Sequence, residues 1–121
     1  MSKTRFITLI ACLFLLAPTA TGKDPGFDAF WVKFCDALKR NDKEAIASMT
    51  KLPYLWNDKK LNKQEFIAKY NQLFDKKTRD CLVKQKPVQD TTYYSAFCGE
   101  EIFMFQKIKN TYMFTEIGVN D

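Results

Sequence analysis

Three kinds of residue in this chain could do chemistry: cysteines spaced to pair, an acid set among aromatics, and tyrosines near it. Two cysteines bracket the stretch DCLVKQKPVQDTTYYSAFCG, residues 80–99. Cys81 and Cys98 could be a redox couple, ligands of a metal, or a staple. The metal is short of ligands, because the chain has no histidine and two thiolates alone do not complete a zinc site. A redox couple ordinarily has Cys-x-x-Cys spacing at a helix start, which this stretch lacks. The staple is the expectation, and no metal or other cofactor is expected.

The same lack of histidine restricts acid–base chemistry near neutral pH to a carboxylate or lysine with a strongly shifted pKa. Glu116 is the acid that the strand pattern sets beside Phe103 and Phe114, with Tyr94 or Tyr112 to supply a phenol. No GxSxG, phosphate-cradling glycine loop or paired-carboxylate motif accompanies it. A glutamate near a strand end is also commonly solvated or paired with a lysine. No residue is assigned as catalytic.

The elements that must position these groups follow from periodicity. Phe27, Phe30, Trp31, Phe34 and Leu38 form one helical stripe. Asn41 suits a left-handed helix end, and Asp42 can cap the short helix that follows in KEAIASMTKL. PYLWNDKK reads as an aromatic loop with a turn at Asn57-Asp58. A third helix starts in LNKQEF, where Asn62 and Glu65 can cap each other and Leu61 can staple to Phe66. From residue 80 the texture becomes β-branched and aromatic, predicting strands at 81–86, 93–98, 101–108 and 111–117. Short turns make them an antiparallel meander. The expected fold is α+β, with three N-terminal helices packed on a curved four-stranded antiparallel sheet.

A first hairpin symmetric about its turn sets Lys86 opposite Tyr93, Lys84 opposite Ser95 and Cys81 opposite Cys98. Opposed residues lie about 4.5–5.5 Å apart, within disulfide reach. Cys35 is left over beside Phe34 and Leu38 and reads as a small buried hydrophobe. Its pairing with Cys81 or Cys98 is the alternative connectivity.

MSKTRFITLIACLFLLAPTATG, residues 1–22, has the three parts of an export signal: Lys3 and Arg5, an apolar run over 6–17, and a small-residue cleavage site. The apolar run is shorter than the roughly 20 residues that span a bilayer, although a retained anchor is the alternative. Cys12 follows a lipoprotein-like box in the wrong context and is read as part of the discarded segment. The expected product is one domain over 23–121, periplasmic or secreted by a bacterium, with no transmembrane span. An oxidising compartment favours the disulfide. Losing Lys3 and Arg5 lowers the formal charge from +5 to about +3. The remaining lysines alternate with Asp58, Glu65, Asp75 and Asp80, which reads as a solvated surface and not a nucleic-acid site.

Carrying the register across the sheet sorts it into two faces. One holds Val83, Tyr94, Ala96, Phe103, Phe105, Tyr112, Phe114 and Glu116. The other holds Leu82, Tyr93, Phe97, Ile102, Met104, Met113 and Ile117, mixed with Lys84, Ser95, Gln106 and Thr115. Both are apolar, yet helices can cover only one, so the second is expected to meet a partner or ligand. The alternative cover is the C-terminal tail or the loop at Tyr54-Leu55-Trp56. Candidate binding residues are Tyr94, Phe103, Phe105, Tyr112, Phe114, Glu116, Tyr54 and Trp56.

The element order, with LNKQEFIAKYNQLF as its third helix and FMFQKIKNTYMFTEIGV as its last strands, resembles the nuclear transport factor 2-like, or cystatin-like, superfamily, and its small exported bacterial members in particular. The resemblance spans nearly the whole of 23–121. It implies a cone-like wrapped sheet, a pocket at the open end and frequent dimerisation through the outer sheet face. Some relatives are isomerases or dehydratases that use Asp, His and Tyr; this chain has no histidine to match them. The expectation is therefore an exported, non-enzymatic binding protein, a homodimer that engages a protein or small apolar ligand. An isomerase or lyase using Glu116 and a tyrosine is the alternative, and an envelope accessory domain a third.

Overall fold

The computed structural model of the chain describes residues 24–120, so the expected export signal lies outside the described residues. Helix α1 (Pro25–Lys39) begins where the Asp24 side chain accepts the Gly26 N–H, and proline occupies its first turn. Proline costs nothing there, because that N–H has no intrahelical partner. Phe27, Phe30, Phe34 and Leu38 are buried along one stripe, as their spacing predicts. Asn41 ends the helix at φ 54°, and Asp42 caps α2 (Lys43–Ser48) through the Ala45 N–H.

PYLWNDKK is a hairpin and not a loop. Strands β1 (Tyr54–Trp56) and β2 (Lys59–Leu61) pair across Asn57-Asp58, both at positive φ, 50° and 64°. Two such residues give a turn whose twist matches that of the flanking strands. The capping box at Asn62 and Glu65 opens α3 (Lys63–Leu73), with bonds of 2.8 and 2.9 Å.

Residues 81–86 are not a strand, and the described residues hold four helices, not three. After α3 stops at Phe74, Asp75 caps a new helix, α4 (Lys76–Leu82), by accepting the Thr78 N–H at 2.8 Å. An i,i+4 ion pair between Lys76 and Asp80 runs along its exposed side, while Leu82 is fully buried. The Asp75 cap, with the Lys76–Asp80 pair behind it, outweighs the weak alternation of Cys81-Leu82-Val83-Lys84.

The sheet is β3 (Val88–Asp90), β4 (Tyr93–Cys98), β5 (Glu101–Ile108) and β6 (Thr111–Val119), antiparallel and in sequence order. The first hairpin pairs Val88 with Ser95 and Asp90 with Tyr93, so Lys84 and Lys86 face no strand residue. Thr50 extends the sheet by bridging to Phe114 on the open side of β6. There the Lys51 N–H donates to the Phe114 carbonyl and the Phe114 N–H to the Met49 carbonyl, both at 2.8 Å. Those bonds satisfy part of an edge that would otherwise invite another strand.

The disulfide forms between Cys81 and Cys98, with Cα atoms 6.0 Å apart, but it joins α4 to β4 and not two strands. Closing a loop of this size contributes about 3 kcal/mol. Cys35 is free and buried, and burial pushes its thiol up to about 11, which keeps it protonated and unreactive.

Aromatic rings fill the space between the helices and the sheet. Phe27 stacks on Tyr94 with centroids 3.7 Å apart, and Phe34 meets Phe105 edge-on at 5.1 Å. Phe74 bridges Phe34, Phe103 and Phe114.

Candidate functional site

Five of the residues that the sequence offers to a ligand are core. Tyr54, Tyr94, Phe103, Phe105 and Phe114 are each 2% exposed or less. Their rings touch one another or the helix aromatics, so the face they share is the face the helices cover. The interior that could have held a ligand is packed with side chains. Trp56 is half-buried on the β1–β2 hairpin, with the Lys69 ammonium 5.3 Å from its ring.

Glu116 does not join them. Between Met104 and Phe105 the β5–β6 register shifts by one: Phe105 pairs with Phe114, but Met104 pairs with Glu116. Thr115 is the extra residue, and its hydroxyl donates to the Met104 carbonyl at 3.1 Å. A bulge of this kind reverses the sidedness of everything beyond it. Glu116 therefore lies exposed on the outer face and Ile117 packs toward the core, the reverse of the expected placement. The acid–base pair of Glu116 with a buried tyrosine is not assembled.

Tyr112 stands apart from the other predicted residues. Its hydroxyl donates to Asp24 Oδ2 at 2.7 Å, and the Tyr94 hydroxyl accepts the Asp24 N–H at 2.9 Å. Lys107 Nζ lies 3.4 Å from the same Asp24 oxygen and 5.5 Å from the Tyr112 ring centroid. The Tyr112 hydrogen bond, then that of the Gly26 N–H, holds the Asp24 carboxyl below its usual range, and Lys107 adds to the effect. Burial, then the Asp24 contact, raises the Tyr112 phenol. A carboxylate held ionised beside a phenol held neutral suits anchoring better than proton transfer. The cluster fastens the start of α1 to three strands of the sheet, β4, β5 and β6. Sequence reasoning missed Asp24 in this role, although its position just before Pro25 marks it as a cap.

The outer face is the other chemically distinctive surface. Its central strands carry Tyr93, Phe97, Ile102, Met104 and Ile108, flanked by Val88 on β3 and Met113 on β6. None of these belongs to the core cluster, whose sheet residues all lie on the other face. Phe97 is 44% exposed and Val88 57%, the others half-buried. The charged residues on this face, Asp90 and Glu116, sit on the edge strands. An apolar centre with a charged margin is how protein interfaces are organised.

Among the described residues no cluster of three potential metal ligands occurs, and no helix is long and apolar enough to cross a membrane. Comparison with protein-family models, curated proteins and solved structures gave no match to this chain.

Proposed function

We propose that this chain is an exported binding protein that works through the outer face of its sheet, a second copy being its first partner. The observation that carries this reading is the unshared apolar centre formed by Phe97, Ile102, Met104 and Met113. Export is supported by the signal-like residues 1–22 and by the Cys81–Cys98 disulfide, which suits an oxidising compartment. The element order, two helices, a hairpin, two helices and a meander, supports placement in the nuclear transport factor 2-like superfamily as part of the same proposal. Exposure of Glu116 weighs against the isomerase or lyase alternative, which requires that acid beside the aromatics.

Magnitudes set the strength of the pairing. Four strands about 4.8 Å apart and some six residues long span about 14 by 20 Å, roughly 290 Å² in projection. A standard interface buries about 800 Å² on each partner, so pairing through this face alone falls in the weak, exchanging class. Sedimentation of residues 23–121 across a concentration series tests it. A monomer–dimer equilibrium is expected, shifted to monomer by Phe97→Asp with the far-ultraviolet spectrum unchanged. A monomer at every concentration, or a dimer indifferent to Phe97→Asp, overturns the self-pairing.

A further inference from the structure

A second surface, independent of the outer sheet face, lies where α1, the end of α2 and the β5–β6 turn converge. It is an open cleft of about 360 Å³, within the range of small-molecule sites. Its walls are apolar: Phe30 from α1, Met49 from the end of α2, and Tyr112 from β6. Its charged lining residues are both cationic, Lys33 on the α1 side and Lys107 on the sheet side. We infer that this cleft binds a small organic anion, with a carboxylate held between Lys33 and Lys107 and a flat aromatic body against Phe30, Met49 and Tyr112.

Each part of the ligand is argued from a group in the cleft. Lys33 lines the cleft from α1 and Lys107 from β5, so an anion lying between them gains two attractions. Asp24 meets Lys107 only in part, because its Oδ2 takes the Tyr112 hydroxyl at 2.7 Å as well as Lys107 at 3.4 Å, and its Oδ1 takes the Gly26 N–H at 2.9 Å. Lys107 reaches Oδ2 only at 3.4 Å, longer than the about 2.7–2.9 Å of a strong charge-assisted bond, so it retains donors for a ligand. Lys33 forms no ion pair with an acid among the described residues. The body is aromatic because a ring fits against the half-buried Tyr112 in the edge or offset geometries that aromatics prefer, the Met49 thioether favours a ring edge, and Phe30, 9% exposed, adds its rim. Phe30 and Lys33 come from α1, Met49 from the end of α2, and Lys107 and Tyr112 from the sheet, so the cleft is formed only in the folded domain.

Titration of residues 23–121, followed by amide NMR, tests the site with four probes: phenylacetate, indole-3-acetate, uncharged indole and inorganic phosphate. Lys33 is exposed and outside the core, so Lys33→Glu leaves the fold intact, whereas Lys107 also serves Asp24. The two acids are expected to give saturable shifts at Thr111 and Lys33, with indole and phosphate at least about tenfold weaker. Lys33→Glu should weaken both acids by about tenfold or more, and Lys33→Arg should restore binding. Absence of saturation with either acid overturns the site. So do equal affinities for indole or phosphate, shifts confined to the outer sheet face, or indifference to Lys33→Glu. Because the sheet face is not involved, failure here leaves the self-pairing standing, and the reverse holds.

Discussion

Two residues connect the chemistry of single groups to stability. Asp24 has a carboxyl depressed by Tyr112 and the Gly26 N–H, so the folded state binds its proton less readily than the unfolded chain. The stability this provides is fully present above the unfolded carboxylate pKa of about 4 and is lost as pH falls below it. Acid unfolding followed by circular dichroism should therefore show a shallower acid limb in Asp24→Asn than in the parent, with a lower midpoint at neutral pH. Identical acid limbs would remove Asp24 from the anchor. Tyr70 acts in the opposite direction. Its hydroxyl is buried without a hydrogen-bond partner among the described residues, and burial raises its pKa. A buried unsatisfied hydroxyl costs about 1–3 kcal/mol, so Tyr70→Phe is expected to raise the melting temperature. A lower melting temperature would mean that the hydroxyl has a partner. Neither effect was legible in the sequence, because each depends on which groups the folded chain brings within 3 Å.

At the scale of elements, most of the fold was legible and the exceptions have identifiable causes. The capping box at Asn62, the left-handed Asn41 and the two-residue turn at Lys109-Asn110 are local signals, and each forms as read. The strands at 93–98 and 101–108 also match. The error at 81–86 came from trusting alternation over four residues while passing over Asp75 and Thr78, a cap signal as good as the one at Asn62. The disulfide was anticipated between the right cysteines for a wrong reason, since proximity arises from α4 packing on β4. The Thr115 bulge has no signature in a stretch of alternating strand residues, and it alone decides which way Glu116 points. Deleting Thr115 should therefore remove the bulge while keeping Glu116 opposite Met104 on the outer face and Ile117 opposite Phe103 on the inner one. Chemical denaturation should then find the deletion variant short of only the Thr115 contacts, within about 3 kcal/mol of the parent. Glu116→Gln, at an exposed position, should lie within about 0.5 kcal/mol of the parent. A deletion variant destabilised by much more than this would show that Thr115 is not the inserted residue.

For the whole molecule, the aromatic interior and the bare outer face are complementary facts. Twelve Phe and Tyr rings, among them Phe27, Phe34, Phe74, Phe105 and Phe114, form a continuous contact network on one side of the sheet. Phe97, Ile102, Met104 and Met113 lie outside that cluster, on the opposite face. In the proposed self-pairing a second copy covers this face. The methionines report on it directly. Within 23–121 there are three, Met49 near the cleft and Met104 and Met113 on the outer face. Their methyl resonances can be followed in the presence of a soluble paramagnetic agent as the protein is diluted. The account expects Met104 and Met113 to be shielded at high concentration and to become strongly broadened on dilution, while Met49 does not change. Met104 and Met113 broadened equally at every concentration would contradict it, because the outer face would then be in contact with water in an isolated molecule.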